Sequence, residues 1–489
     1  MNLLIQHGRV IDPASGLDQH CDVALAAGRI VALGQAPADF VPRRVLDARG
    51  CIVLPGLVDL AVRLREPGHE HEGMLESELA AAVAGGVTSL VCLPDTEPVL
   101  DEPGLVEMLK SRAERLHLAR VFPLGALTRG LGGEVLTEMA QLTEAGCVGF
   151  AQAEVALPNT QVLQRALQYA ATFGYTVWLR PQDAHLGRGV AASGPLATRL
   201  GLAGVPVAAE TIALHTIFEL QRSTGARVHL CRLSSAAGVE LVRRAKAEGL
   251  PVSCDVSIHS LHLTDTDIGY FDSRARLAPP LRQARDRDAL RAGLADGTID
   301  ALVSDHTPVD EDAKALPFAE AEPGATGLEL LLSLALKWSQ EQGVPLVRAL
   351  AVVSSAPAGV LGACRTLGVE SENAPQRGQF LPDSPPHSGA MGQEDGKKWA
   401  AAAHSQPTIP KSDRLLGNAL GLPDAPHAGL GRIVEGGMAD LCILEPQARW
   451  SVRADALRSQ GKHTPFLGYE LPGQVRWTLV GGAVAFERA

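Results

Sequence analysis

The chain has 489 residues, 46% of them apolar and 20% charged, enough for one large barrel with additions or for two or three domains. Its formal net charge of −11 argues against nucleic acid or an anionic membrane as the main partner, since both favour basic patches. No apolar run reaches bilayer-spanning length and the first residues lack a signal-peptide pattern. The eight cysteines (21, 51, 92, 147, 231, 254, 364 and 442) are scattered with no C-x-x-C, so buried free thiols in a reducing cytoplasm are expected.

Residues 2–53 read as short strands. Leu3–Ile5 and Arg9–Ile11 flank His7-Gly8, and Asp22–Leu25 and Arg29–Leu33 flank Ala27-Gly28. Alternating runs broken by glycine turns predict a small antiparallel β unit. From residue 52 the pattern changes to strand then helix. Strands are expected at 52–62, 87–93, 119–125, 147–152, 175–180, 227–232, 251–256 and 301–305, with helices such as 102–116, 159–173, 206–223 and 235–248 between them. Strands this apolar are buried on both faces, as parallel strands are. Their number and spacing predict an α/β fold, a (β/α)8 TIM-type barrel over 54–365, with a doubly wound open sheet as the alternative. Residues 326–361 continue as helices.

Over 370–413 periodicity is lost, and Ser, Pro, Gly, Gln and Ala dominate. That composition predicts a flexible insertion spanning 366–427, with an interaction segment as the sharper alternative. Strands return at Gly431–Val434, Ala439–Leu444 and Val475–Val480. With β segments at both ends of the barrel, 1–53 and 428–489 are expected to pair into one small discontinuous β-sandwich domain.

Short motifs recur in order along the chain. Leu54–Gly68 reads L-P-G-L-V-D-L-A-V-R-L-R-E-P-G; Leu93–Pro98 reads L-P-D-T-E-P; Ala278–Arg282 reads A-P-P-L-R; Ser304–Pro308 reads S-D-H-T-P; Gly431–Leu441 reads G-R-I-V-E-G-G-M-A-D-L; Lys462–Gly468 reads K-H-T-P-F-L-G. Together they resemble the dihydroorotases of the amidohydrolase superfamily nearly end to end, apart from the insertion. The resemblance implies a catalytic site at the C-terminal ends of the barrel strands. There one or two zinc ions are held by N and O ligands with a position left for water, the metal lowers the pKa of that water, and a carboxylate after the eighth strand moves the proton.

The implied ligands are missing one by one. The two histidines of the first strand fall at Ala61 and Arg63. The bridging carboxylate or carboxylated lysine of the fourth falls at Gln152 or Ala153, within Gly149–Glu154. The histidines of the fifth and sixth fall at Arg180 and Arg232. A guanidinium stays protonated and offers no lone pair. Only Asp305, at the position of the catalytic aspartate, survives, and it is expected to pair with Arg63, Arg180 or Arg232. Substrate positions are mixed. Arg65 is retained, as a structural ion pair or an anion contact; Asp95 and Ala278 replace asparagines; His259 survives beside Ser260. His69 and His71, past the first strand, read as exposed loop histidines, with a relocated metal site as the sharper reading.

The sequence therefore predicts a non-enzyme: a cytoplasmic, catalytically inactive dihydroorotase-like protein with no metal or other cofactor. The resemblance implies that such members form homo- or hetero-oligomers and support aspartate carbamoyltransferase, binding its catalytic chain in pyrimidine biosynthesis; neither nucleic acid nor membrane is expected as a partner. Two alternatives stay open: an active zinc-dependent dihydroorotase or related cyclic-amide hydrolase, and a regulatory barrel that binds a small anion through Arg63, Arg65, Arg180 and Arg232.

Overall fold

A computed structural model describes residues 2–362 and 429–488. The expected insertion over 366–427, and Cys364 before it, lie outside the described residues.

Strands from both ends of the chain build one β unit of two sheets. In the first, Leu3–Gln6 pairs antiparallel with Val23–Ala26 and parallel with Arg44–Asp47, and Arg29–Leu33 forms the edge. Ala27 (φ 50°) and Gly28 (φ 78°) make the two-residue turn between Val23–Ala26 and Arg29–Leu33, the positive φ pair that matches strand twist. The second sheet runs Ala483–Glu487, Glu470–Val480, Leu441–Ser451, Ile52–Pro55, Arg9–Asp12, Leu17–His20. N-terminal and C-terminal segments thus meet where Ile52–Pro55 pairs with Leu441–Leu444. Leu3, Ile5, Leu25, Ile30, Val53, Ile443 and Leu479 fill the space between the sheets.

The expected strand over 52–62 divides at Gly56. Its first half belongs to the β unit and its second half, Leu57–Val62, opens the barrel. A Cβ on Gly56 would fall 2.1 Å from the Thr88 hydroxyl, so only glycine lets the chain cross there. The expected strand Gly431–Val434 does not form. Gly431 (φ 66°) turns against the Ser354 carbonyl, and Ile433 enters the β core as irregular chain.

Barrel strands one to eight are Leu57–Val62, Val87–Cys92, Arg120–Pro123 (continued by Gly125–Ala126), Phe150–Ala151, Thr176–Leu179, Arg227–Leu230, Val252–Ser257 and Ala301–Val303. Adjacent strands pair in parallel, and the ring closes where Val62 bridges His306 and the Arg63 amide donates to the His306 carbonyl at 2.9 Å. A helix follows each strand. One example, Thr160–Phe173, starts where the Asn159 side chain accepts from the Gln161 and Val162 amides and stops at Gly174 (φ 73°), an N-cap and a left-handed glycine terminus. Val58, Leu60, Val91, Phe122, Trp178 and Val303 fill the barrel interior. Among the described residues no helix is long and apolar enough to cross a membrane.

Candidate functional site

Arg63, Arg180 and Arg232 stand just beyond the C-terminal ends of the first, fifth and sixth strands, and Glu154 beyond the fourth. Barrel closure turns all four inward. Glu154 accepts from the guanidiniums of Arg180, Arg232 and Arg63, the last at 2.9 Å. Arg232 also donates to Asp305 at 3.0 Å and Arg63 to Asp95 at 2.8 Å and to the Thr307 hydroxyl at 3.1 Å. Backbone at this mouth departs from the β region: Ala153, Arg232 and Asp305 have φ of 48°, 55° and 52°. Each such residue costs about 1–3 kcal/mol unless its surroundings hold it, and Arg232 and Asp305 are held by their mutual ion pair.

The electrostatics follow from that geometry. Burial pushes the Glu154 carboxyl up, but Arg180, Arg232 and Arg63 outweigh burial and hold it well below the usual carboxylate range. Burial pulls Arg232 down, yet Glu154 and Asp305 keep it above its ordinary value. Burial raises Asp305, only partly opposed by Arg232 and Arg63. Arg65 lies to one side, donating to Glu72 at 2.7 Å, to Glu322 at 3.2 Å and to the Pro308 carbonyl at 2.8 Å. Burial pushes Glu72 up to about 7, opposed by Arg65 and reinforced by Glu322. The cleft over these residues is also walled by Ala278 and Gly324.

Each residue singled out in the sequence has a definite place. Of the three partners open to Asp305, the fold selects Arg232. Arg65 is an ion pair, and Asp95 is the partner of Arg63. Ala278 lines the cleft, its carbonyl 3.4 Å from Arg232. Ala61 and Ala153 lie deeper, against a small apolar cavity with Leu60, Leu93 and Trp178. Gln152 turns aside to the Thr128 hydroxyl (3.0 Å) and the Leu131 carbonyl (2.8 Å). His259 departs from expectation as a substrate-like contact. It is buried away from the cleft, stacked on Phe466 at 5.6 Å, and burial lowers its pKa to about 3. His69 lies part-buried and His71 exposed on the loop after the first strand, with ring centroids 6.1 Å apart.

Sequence reasoning missed Glu154. It read the fourth-strand motif for a metal bridge at 152 or 153 and offered Asp305 alone as a partner for the three arginines. The signal was present: Glu154 is the one acidic residue of Gly149–Glu154, and buried guanidiniums require carboxylate partners.

A zinc ion does not fit the residues at this mouth. Of the ligand positions that the resemblance implies, one is Ala61, one is Gln152 or Ala153, three are guanidiniums without lone pairs, and the nearby carboxylates Glu154, Asp95 and Asp305 are engaged by arginine. Among the described residues, one trio offers metal-type ligands within 4.8 Å of each other: His229, Cys231 and Asp255. Its imidazole nitrogens are already engaged, by Ser253 at 2.8 Å and Asp255 at 2.9 Å, and the other Asp255 oxygen accepts from the Arg232 amide at 2.7 Å. The small-anion alternative meets a charge balance. The guanidiniums of Arg63, Arg65, Arg180 and Arg232 face the five carboxylates of Glu72, Asp95, Glu154, Asp305 and Glu322, leaving no excess positive charge.

Comparison with known proteins agrees with the fold and the motifs. A family model described as dihydro-orotase-like matches residues 50–237. A dihydroorotase-like protein of Pseudomonas aeruginosa is 41% identical over 488 residues, covering 100% of both chains. A protein of Geobacter sp. strain M21 named dihydroorotase is 36% identical, again over 100% of both. In structure, the L-hydantoinase of Arthrobacter aurescens superposes with a TM-score of 0.77 at 23% identity, covering 99% of this chain and 95% of that one. With relatives of this identity along its full length, the chain belongs to the dihydroorotase-like family.

Proposed function

We propose that this protein is a catalytically inactive dihydroorotase-like subunit that supports aspartate carbamoyltransferase in pyrimidine biosynthesis. One observation carries the inactive part: Arg63, Arg180 and Arg232, which have no lone pair to offer a metal, converge on Glu154 at the strand ends where the family resemblance places metal ligands. Without a metal to lower its pKa, water is a poor nucleophile at neutral pH, and Asp305, paired to Arg232, has no activated water from which to move a proton. The partner is inferred from the family resemblance. A folded barrel whose mouth is closed by ion pairs suits an assembly role, since it keeps the family's surface while giving up its reaction.

Two measurements test the reading. Zinc content and dihydroorotate hydrolysis of the purified protein, with and without added zinc, should give substoichiometric metal and no turnover above background. Stoichiometric zinc with turnover would overturn the inactive reading. Co-expression with the aspartate carbamoyltransferase catalytic chain should then give one complex on size exclusion; separate elution would remove the partner.

A further inference from the structure

After the seventh strand the chain makes an excursion over residues 264–277 that the ion-paired mouth does not use. Its tip carries Tyr270, 91% exposed, more than any other large hydrophobic side chain among the described residues, and beside it Phe271, 38% exposed. The two rings meet edge-on at 5.5 Å. Leu316, 47% exposed, follows the helix Glu311–Ala315 that packs against the base of the excursion. Exposed aromatic pairs of this kind are costly to leave in water and are typical anchors of protein interfaces.

The tip is held firmly from below. Ile268 is buried beneath it, and Asp267 closes a capping box with Thr264. Phe271 takes a left-handed φ of 62°, a strain that persists where surrounding contacts fix the backbone. Lys314, 2% exposed, donates to the Ser273 and Arg276 carbonyls at 3.2 and 3.0 Å, and the Ser273 hydroxyl returns a bond to the Lys314 carbonyl at 2.6 Å. Two bonds to neutral carbonyls are a weak return for burying an amine. Their effect is to preorganise the aromatic pair, which lowers the ordering cost of binding.

The charge around the tip is acidic. Asp267, Glu311 and Asp312 are exposed, whereas Arg274 is tied to Asp272 at 2.6 Å and Lys314 is buried. An acidic rim disfavours nucleic acid and anionic lipid and favours a protein whose recess is edged by Lys and Arg.

We propose that the Gly269–Asp272 tip is where this chain docks on its protein partner, inserting Tyr270 and Phe271 into an apolar recess with a cationic rim. This rests on the assembly reading above and assigns it a surface. The test uses the full-length chain and the aspartate carbamoyltransferase catalytic chain, with affinity and rates measured by surface plasmon resonance across salt concentrations. Two variants are compared with the unmodified chain: Tyr270→Ser with Phe271→Asn, the asparagine chosen because it tolerates left-handed backbone, and Glu311→Gln with Asp312→Asn. All substituted side chains are exposed, so melting temperatures should match the unmodified chain. The aromatic variant should bind at least about thirtyfold more weakly, as loss of interface hot spots does. The rim variant should associate more slowly with a shallower salt dependence. Unchanged binding by the aromatic variant would overturn the docking surface and leave the assembly reading standing. An unchanged rim variant would overturn the cationic rim. No binding by the unmodified chain would overturn the assembly reading and the surface together.

Discussion

Replacing Glu154 by Gln tests whether this carboxylate holds the barrel mouth together. The substitution keeps size and one carbonyl acceptor but removes the charge that three guanidiniums share. Arg232 and Arg63 keep Asp305 and Asp95, whereas Arg180 has no other carboxylate partner among the described residues. Breaking a fully buried pair by removing one partner costs about 3–5 kcal/mol. The Glu154 side chain is 33% exposed, so solvent screens part of the loss and the expected cost is about 2–4 kcal/mol. For a chain of this size that is a fall in Tm of about 2–5 °C. The pH dependence has a definite sign. The carboxyl of Glu154 is depressed in the folded state, so its contribution is full above the unfolded carboxyl's pKa, about 4.3, and is lost as pH falls through the lower folded value. The difference in Tm between the two proteins should be constant from neutral pH down to about pH 5 and shrink below about pH 4. Adding Arg180→Met should recover part of the loss, because it removes a stranded charge. An unchanged Tm for Glu154→Gln, or strictly additive effects of the two substitutions, would refute the shared-charge account.

Two further predictions address the groups that brace the site. Glu78 accepts from His306 Nε2 at 2.7 Å, the Ser459 hydroxyl at 2.6 Å and the Gln460 amide at 2.9 Å, while His306 Nδ1 accepts from the Gly327 amide at 3.1 Å. Glu78→Ala strands three buried donors and should cost about 3 kcal/mol in urea unfolding; a cost below about 1 kcal/mol would contradict this network's role. Lys314 is pulled by burial to about 7. Between that value and the ordinary lysine pKa of about 10.4 the unfolded chain binds a proton the folded chain does not, so stability gains with rising pH. Lys314→Met should remove that component from a Tm series between pH 7 and 10, and an identical slope in both proteins would refute it.

How much was legible in the sequence depended on how local the signal was. The barrel strands announced themselves because each is a short apolar run whose burial on both faces needs no knowledge of its neighbours. Arg63, Arg180 and Arg232 were legible as residues of the barrel mouth because each directly follows a strand-like apolar run that fixes its place at a strand end. Two readings went astray where the neighbour decided the outcome. Gly431–Val434 has a strand-like composition, yet close approach to Ser354 bends it out of any sheet. His259 keeps its motif position, yet stacking on Phe466, distant in sequence, buries it away from the cleft.

The division is one of range. By itself the sequence determined the strand–helix order, the excess negative charge and the placing of arginines at strand ends, because these depend on residue type and on spacings of a few residues. Which carboxylate answers which guanidinium was decided by the tertiary structure. Arg63 and Glu154 are 91 positions apart, and Arg232 and Asp305 are 73. They meet because closure of a parallel barrel carries the ends of the first, fourth, fifth, sixth and eighth strands to one mouth. At that distance along the chain no local pattern pairs charges. Only the geometry of the closed ring does, and it made Glu154, an ordinary glutamate in the sequence, the shared counter-ion of the site.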